Sequence, residues 1–290
     1  MANQLPPKHL YGVLGNPLAQ SMSPALHTWG FSLTRHPGAY FAWEKSEEDL
    51  PAFFAAVRCL PICGLSVTIP HKQAVIPYLD GLTPRARAVG AVNLVLWRDG
   101  GLWGDNTDVA GFVAPLLARK EQGERLPPAT LLMGSGGAAR AALAGLAELE
   151  APEIYVSARS NEKARALARE FGCSFLLWED RERALADLGP VLLINATPLG
   201  MYGDLRDLTP LPSLSGLIPS RTAEASLAYD IVYNPVRTVF LADARSLNMA
   251  CADGLDFFVA QGLEQFRLWT GLALPGDEAR ALLLHMMAGR

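Results

Sequence analysis

Thr130-Leu131-Leu132-Met133 runs straight into Gly134-Ser135-Gly136-Gly137-Ala138-Ala139. An apolar run halted by glycines and resumed by alanines reads as a strand, a tight turn and the start of a helix. The helix continues over Ala138–Leu149, and a second strand follows at Glu153–Ser157. In that setting each small residue has a physical reason. Gly134 permits the sharp turn, Gly136 lets the backbone approach a pyrophosphate, and Ala139 keeps the helix close to the strand. The helix N-terminus adds N–H groups and the positive end of a dipole. An ordinary βα turn also uses glycine, but strand, loop, helix and second strand together point to dinucleotide binding. The loop lacks the Gly-Lys-Ser/Thr ending of a P-loop, which argues against phosphotransfer.

The end of the second strand indicates which dinucleotide. NAD sites usually place Asp or Glu about 20 residues after the glycines, to accept from the ribose 2′-OH. Here the residues are Ser157-Ala158-Arg159-Ser160, with no acid. Arg159 suits a 2′-phosphate, and Lys163 adds charge one turn further on, so NADP is the expected cofactor. The helix Glu162–Phe171 then buries Ala164, Leu167, Ala168 and Phe171 at helical spacing. Strands at Phe175–Leu177, Val191–Asn195 and Ala228–Val232 complete a doubly wound, Rossmann-like series.

Upstream, Glu121–Pro128 is charged and then Pro-rich, a linker surface. Before it, strands are expected at Leu10–Gly15, Ala39–Trp43 and Gly64–Ile69, with a hairpin formed by Ala91–Trp97 and Leu102–Gly104. Helices are expected from Ser23, as N-cap ahead of Pro24, and over Asp49–Val57. This alternation implies a largely parallel sheet covered on both faces. The tail carries a helical stripe of Leu255, Phe258, Val259, Gly262, Phe266 and Trp269, then an amphipathic helix at Glu278–Met287. The pattern leaves open whether these helices pack back on the N-terminal sheet.

With 290 residues, two domains are expected at about 150 residues each. Apolar residues are 50% and charged residues 19%, enough to bury a sizeable core. The balance of 25 Lys+Arg against 29 Asp+Glu argues against nucleic acid as the main partner. The longest stretch free of charged residues, 9–34, contains Asn16, Gln20, Ser21, Ser23 and two prolines, so no membrane span is expected. No basic segment leads into an apolar run at the N-terminus, so no signal peptide is expected. Cys59, Cys63, Cys173 and Cys251 lack a second Cys/His pair to complete a zinc site. They read as reduced, mostly buried thiols of a cytoplasmic protein, with no metal.

Small polar residues gather at strand ends in the N-terminal half. Ser21 and Ser23 flank a helix start suited to a carboxylate, although capping alone accounts for Ser23. Thr68, Lys72, Asn93 and Asp108 lie at or just beyond apolar strands, where open α/β sheets bind ligands. A Lys and an Asp near a nicotinamide make an acid–base pair for moving a proton on or off a hydroxyl. Spacing leaves open whether Lys72 and Asp108 meet.

In order along the chain, several segments resemble one family, the shikimate dehydrogenases. Gly15-Asn16-Pro17-Leu18-Ala19-Gln20-Ser21-Met22-Ser23-Pro24 resembles its N-terminal substrate motif, and Val67-Thr68-Ile69-Pro70-His71-Lys72 its segment with the catalytic lysine. Gly90-Ala91-Val92-Asn93 and Asn106-Thr107-Asp108 with Gly111-Phe112 resemble two more, the latter bearing the catalytic aspartate. Asn195-Ala196-Thr197 with Gly200-Met201, Asp230 with Tyr233-Asn234-Pro235 and Thr238, and Gln261 with Trp269-Thr270-Gly271 complete the series.

The resemblance implies reversible reduction of 3-dehydroshikimate to shikimate with NADPH. It implies that Ser21, Ser23 and Tyr233 hold the substrate carboxylate, and that Thr68, Asn93, Asp108 and Gln261 meet its ring hydroxyls, with Ser66 also in the substrate site. Lys72 would give a proton to the carbonyl oxygen, with Asp108 positioning Lys72 and substrate. The cofactor set would be Gly134, Gly136, Gly137, Ala138, Arg159, Ser160, Lys163, Thr197 and Gly254. The implied fold is α/β with two domains. A substrate domain at 1–108 is completed by C-terminal helices at 245–290, and an NADP domain spans 109–244. A monomer or homodimer is expected.

Four departures stand out. Ser66 occupies a position where the family usually has an Asn that touches a substrate hydroxyl, so the shorter Ser66 implies a looser or water-bridged contact, and Ala158 replaces the Asn beside Arg159. Pro198 replaces the Ser after Asn195-Ala196-Thr197, and Asp256 stands where Gly is common. Ser66 and Asp256 leave a related quinate or aminoshikimate dehydrogenase as the neighbouring reading. A non-catalytic NADP-binding sensor is a different class, and the presence of both Lys72 and Asp108 speaks against it.

Overall fold

The computed structural model describes residues 7–288. Two compact units emerge: residues up to Thr107 with those from Val259 onward, and Asp108–Phe258. Along the chain the first unit contains β1 (His9–Gly15), α1 (Ser23–Thr34), β2 (Gly38–Glu44), α2 (Leu50–Cys59), β3 (Ile62–Val67), β4 (Gly81–Leu82), α3 (Pro84–Val89), β5 (Leu94–Arg98) and β6 (Gly101–Asp105). The second contains α4 (Asp108–Glu121), β7 (Ala129–Met133), α5 (Gly137–Glu148), β8 (Glu153–Ser157), α6 (Asn161–Phe171), β9 (Ser174–Phe175), α7 (Arg181–Leu185), β10 (Val191–Asn195), α8 (Ser220–Ala223), β11 (Leu227–Asp230), α9 (Val239–Ser246) and β12 (Ala250–Ala252). The helix α10 (Gly254–Thr270) begins in the second unit and continues in the first, where α11 (Gly276–Ala288) follows.

The first unit is built on a six-stranded sheet in the order β2-β1-β3-β5-β6-β4. It is largely parallel, as the alternation of elements suggested, with β5 as its antiparallel strand. β1 pairs parallel with β2 and β3, whereas β5 runs antiparallel to both β3 and β6 because a tight hairpin joins β5 to β6. Side-chain alternation sends the two faces of β1 to different cores. Leu14 joins Leu50, Phe54 and Val57 of α2, while Tyr11 joins Phe31 of α1 and Phe266 of α10.

The second unit is a six-stranded, all-parallel sheet in the order β12-β11-β10-β7-β8-β9. Parallel strands buried on both faces read as continuous apolar runs, and every residue of β7 and β10 is buried. Met133, Val191 and Leu193 face a core shared with Phe240 and Leu241 of α9. On α4, Phe112 stacks on Tyr229 with ring centroids 5.1 Å apart, and Gly145 of α5 admits Phe112, since a Cβ there would lie 2.7 Å from its ring. Pro115 inside α4 removes the N–H that Gly111 O would accept. The Tyr229 hydroxyl approaches that freed carbonyl at 3.5 Å and donates to Phe112 O at 3.3 Å.

Three local expectations change. Asp108 and residues 245–258, placed above with the substrate domain, fall in the second unit, Asp108 as the first residue of α4 and 245–258 because β12 adds a parallel strand to β11. Ser23 is the first residue of α1 rather than its cap; Met22 holds the cap position, and Ser21 Oγ accepts from the Ser23 N–H at 3.4 Å. Cys59 is exposed and the other three cysteines are half-buried, so none is a core thiol. No described helix is long and apolar enough to cross a membrane. Among the described residues no group of three His, Cys, Asp or Glu is placed to hold a metal.

Candidate active site

In the first unit Thr68 and Asn93 lie at the ends of β3 and β5, and Gln261 of α10 is bonded to Asn93. Thr68 follows β3, with its N–H donating to Leu14 O at 2.9 Å. Its methyl crowds Gly15, where a Cβ would lie 2.4 Å away, so the loop bearing Ser21 needs glycine at its start. That loop is tied down by the Leu18 N–H donating to Glu44 Oε2 at 2.9 Å. The turn after Thr68 is held by His71, whose Nε2 donates to Lys45 O at 2.7 Å. Half-buried Lys72 comes next, and its carbonyl accepts from the Val92 N–H at 2.7 Å. Lys72 is thereby fixed beside the strand entry that carries Asn93.

Asn93 lies in a buried hydrogen-bond network. Its Oδ1 accepts from the Thr107 N–H at 2.6 Å, and its Nδ2 donates to Thr107 Oγ1 at 3.0 Å and Gln261 Oε1 at 3.3 Å. Gln265 Nε2 donates to Gln261 Oε1 at 2.9 Å and to Asn93 O at 3.2 Å. Ser66 Oγ donates to Gln265 Oε1 at 2.5 Å and pairs with the Tyr40 hydroxyl at 2.6 Å. Ser66, Asn93 and Gln261 are thus brought together, while Tyr40 and Gln265 escaped the sequence reading and Thr107 entered it only as part of a motif. Gln265 did carry a signal, as a glutamine one turn after Gln261 amid the apolar stripe of α10. Burial raises the Tyr40 phenol above its usual range, and the Ser66 and Ser23 hydroxyls oppose that rise. Beneath the network His27 stacks on Tyr40, with centroids 4.6 Å apart. Burial pushes its imidazole down to about 3, with Gln265 opposing.

In the second unit Asp108 opens α4 and is buried. Tyr233 is half-buried, its ring stacked on Phe258 with centroids 4.3 Å apart. The glycine loop has the geometry expected for a dinucleotide. Gly134 takes φ +132°, and a Cβ there would lie 2.6 Å from Ala196 O. Exposed Gly136 caps α5, and a Cβ there would meet nothing within 4 Å, so the backbone is open to a ligand. Gly137 and Ala138 start the helix. Arg159 and Lys163 are exposed beyond β8, and Ser160 Oγ accepts from the Lys163 N–H at 3.3 Å as the cap of α6.

Thr197 lies in a turn in which its hydroxyl and N–H both donate to Asn195 Oδ1, at 2.7 and 3.0 Å. Asn195 Nδ2 donates in turn to Asp230 Oδ1 at 3.0 Å, and Thr238 Oγ1 to Asp230 Oδ2 at 2.6 Å. Burial pushes the Asp230 carboxyl up to about 7, against the donors from Thr238, Val232 and Asn195. Gly254 is buried, and a Cβ there would lie 2.4 Å from the Val232 carbonyl, so close packing by itself demands glycine. The open glycine loop, the helix N-terminus and the two exposed cations fit NADP.

Comparison with known proteins agrees with this geometry. The model of the shikimate dehydrogenase substrate binding domain matches residues 13–95, and that of the shikimate 5'-dehydrogenase C-terminal domain matches residues 254–284. A shikimate dehydrogenase (NADP(+)) of Oleidesulfovibrio alaskensis is 48% identical over 283 residues, covering 97% of each chain. The Thermus thermophilus shikimate 5-dehydrogenase in complex with NADP(H) and shikimate is 36% identical with a TM-score of 0.81, covering 96% of this chain and 99% of that one. Quinate dehydrogenase from Corynebacterium glutamicum in complex with NAD is 27% identical with a TM-score of 0.83, over 96% and 99%. By this end-to-end similarity the chain belongs to the shikimate dehydrogenase family.

Proposed function

We propose that the protein catalyses the NADP-dependent, reversible reduction of 3-dehydroshikimate to shikimate in the chorismate route to aromatic amino acids. The observation that carries this reading is the placement of Lys72, whose backbone is bonded to the strand that presents Asn93 within a buried amide and hydroxyl network. Such a network recognises a polyhydroxylated ring, because an analogue lacking a hydroxyl leaves buried polar groups unpaired. The identity to shikimate dehydrogenases (NADP(+)) supports the same substrate and cofactor.

In this reading Ser21, Ser23 and Tyr233 hold the substrate carboxylate. Thr68, Asn93, Asp108 and Gln261 meet its hydroxyls, with Ser66 bracing the amides. NADPH, when bound, supplies the hydride that the carbonyl carbon accepts. Lys72 gives the proton to the carbonyl oxygen, and Asp108 orients Lys72 and the adjoining hydroxyl. Gly134, Gly136, Gly137, Ala138 and Thr197 line the cofactor backbone, while Arg159, Ser160 and Lys163 meet the 2′-phosphate. Gly254 completes that set by letting the chain approach closely. The mild net charge of −4 and the absence of disulfides fit a cytoplasmic enzyme, monomer or homodimer, with no nucleic-acid partner.

The reverse reaction tests specificity. With shikimate and quinate each offered with NADP+ and NAD+, shikimate with NADP+ gives the highest kcat/KM. A higher value for quinate moves the protein to the neighbouring activity, and no turnover with any pair leaves a sensor.

A further inference from the structure

We propose that Gln265 is a positioning residue of the substrate site, which fixes the Gln261 side-chain amide so that Gln261 recognises the ligand through its N–H donors. The inference rests on the reading of Gln261 as a substrate contact. Gln265 is 2% exposed, and both ends of its amide are engaged. Two main-chain groups, which have no choice of role, set every direction in the network. The Asn93 carbonyl only accepts, so the nitrogen of Gln265 faces it and the oxygen faces Ser66 Oγ. The Thr107 N–H only donates, so Asn93 turns Oδ1 toward it and Nδ2 toward Gln261. Gln261 Oε1 therefore receives two donors, Gln265 Nε2 at 2.9 Å and Asn93 Nδ2 at 3.3 Å. Its carbonyl end is committed inward, and recognition falls to Nε2, which suits acceptor oxygens such as those of a ring hydroxyl or a carboxylate. Ser66 and Tyr40 act one step further back, since the 2.5 Å bond from Ser66 Oγ holds the oxygen end of Gln265 in place.

The test is a double-mutant cycle on shikimate oxidation by the full chain. Gln265→Glu keeps the shape of the side chain but replaces its donor end by an acceptor, which turns the Gln261 amide over. KM for shikimate is expected to rise at least tenfold, while kcat changes less than threefold and KM for NADP+ stays constant. Gln265→Met, of similar volume, removes the donor without adding an acceptor and raises KM less than Gln265→Glu does. It also carries the cycle should the Glu variant fold poorly. In a Gln261→Ala background the Gln265 substitution adds less than twofold, because the residue it acts through is gone. A full effect in that background, or equal KM for the Glu and Met variants, overturns the proposal and leaves the dehydrogenase reading standing. A wild-type enzyme that does not turn over shikimate overturns the reading itself, and the proposal with it.

Discussion

Thr107 donates its N–H to Asn93 Oδ1 at 2.6 Å, and Asn93 Nδ2 donates back to Thr107 Oγ1 at 3.0 Å. The two-way bond clamps the end of β6 to the start of β5 at the residue just before Asp108. A change in either partner therefore alters both the substrate network and the local fold. Asn93→Ala is expected to lower kcat/KM for shikimate by at least tenfold. It is also expected to cost roughly 1–3 kcal/mol of stability, the range for leaving buried partners unpaired. Urea unfolding beside steady-state kinetics checks both, and unchanged kcat/KM removes Asn93 from the substrate site.

Arg159 is exposed past the end of β8, in a stretch, Ser157–Ser160, that contains no acid. A guanidinium pairs bidentately with a 2′-phosphate and has only a hydroxyl to meet in NAD. Arg159→Ala should raise KM for NADP+ about tenfold or more, as loss of a charge-assisted bond does, and leave KM for NAD+ within twofold. Equal losses for both cofactors mean that Arg159 serves structure instead.

His27 ties stability to pH. Neither ring nitrogen of this buried side chain makes a hydrogen bond of normal geometry, and burial holds its pKa at about 3 against 6.5 in the unfolded chain. Above pH 6.5 both states are neutral at this position and its contribution is constant. As pH falls from 6.5 toward 3, the unfolded state takes up a proton that the folded state refuses, so stability drops by up to about 1.4 kcal/mol per pH unit. His27→Phe keeps the stack between Tyr40 and Phe266 and is expected to flatten that slope. Unfolding free energies of both proteins from pH 7 to 4 decide it, and parallel curves contradict the assignment.

Much of this architecture is legible locally. β7, the glycine loop and α5 are announced by an apolar run meeting Gly134 and Gly136, and at Gly134 the structure takes the φ of +132° that favours glycine. α4 was not foreseen, because Pro115 interrupts its pattern and the supporting hydroxyl of Tyr229 comes from a residue 117 positions after Phe112. β4 and β12 are two and three residues long and carry too little periodicity to detect. At the site, Asn93 and Gln261 follow from motifs. The bonds that Gln265 makes to both, and the Ser66 hydroxyl that it receives, arise only when α10 meets β3 and β5. Ser66 illustrates the limit well. As a sequence departure it pointed to a looser contact with the ligand, and in the fold its hydroxyl is bonded to Tyr40 and Gln265.

Lys72 is the proposed proton donor in the reduction of 3-dehydroshikimate. That role is tested by following NADPH oxidation in wild type and Lys72→Ala at saturating 3-dehydroshikimate. The wild type is expected to turn over readily and the variant to have a kcat lower by about 10²–10⁴, the usual worth of a general acid, with NADPH affinity unchanged. A wild type that leaves NADPH unoxidised excludes the reaction, and a Lys72→Ala enzyme within threefold of wild type excludes Lys72 as the donor.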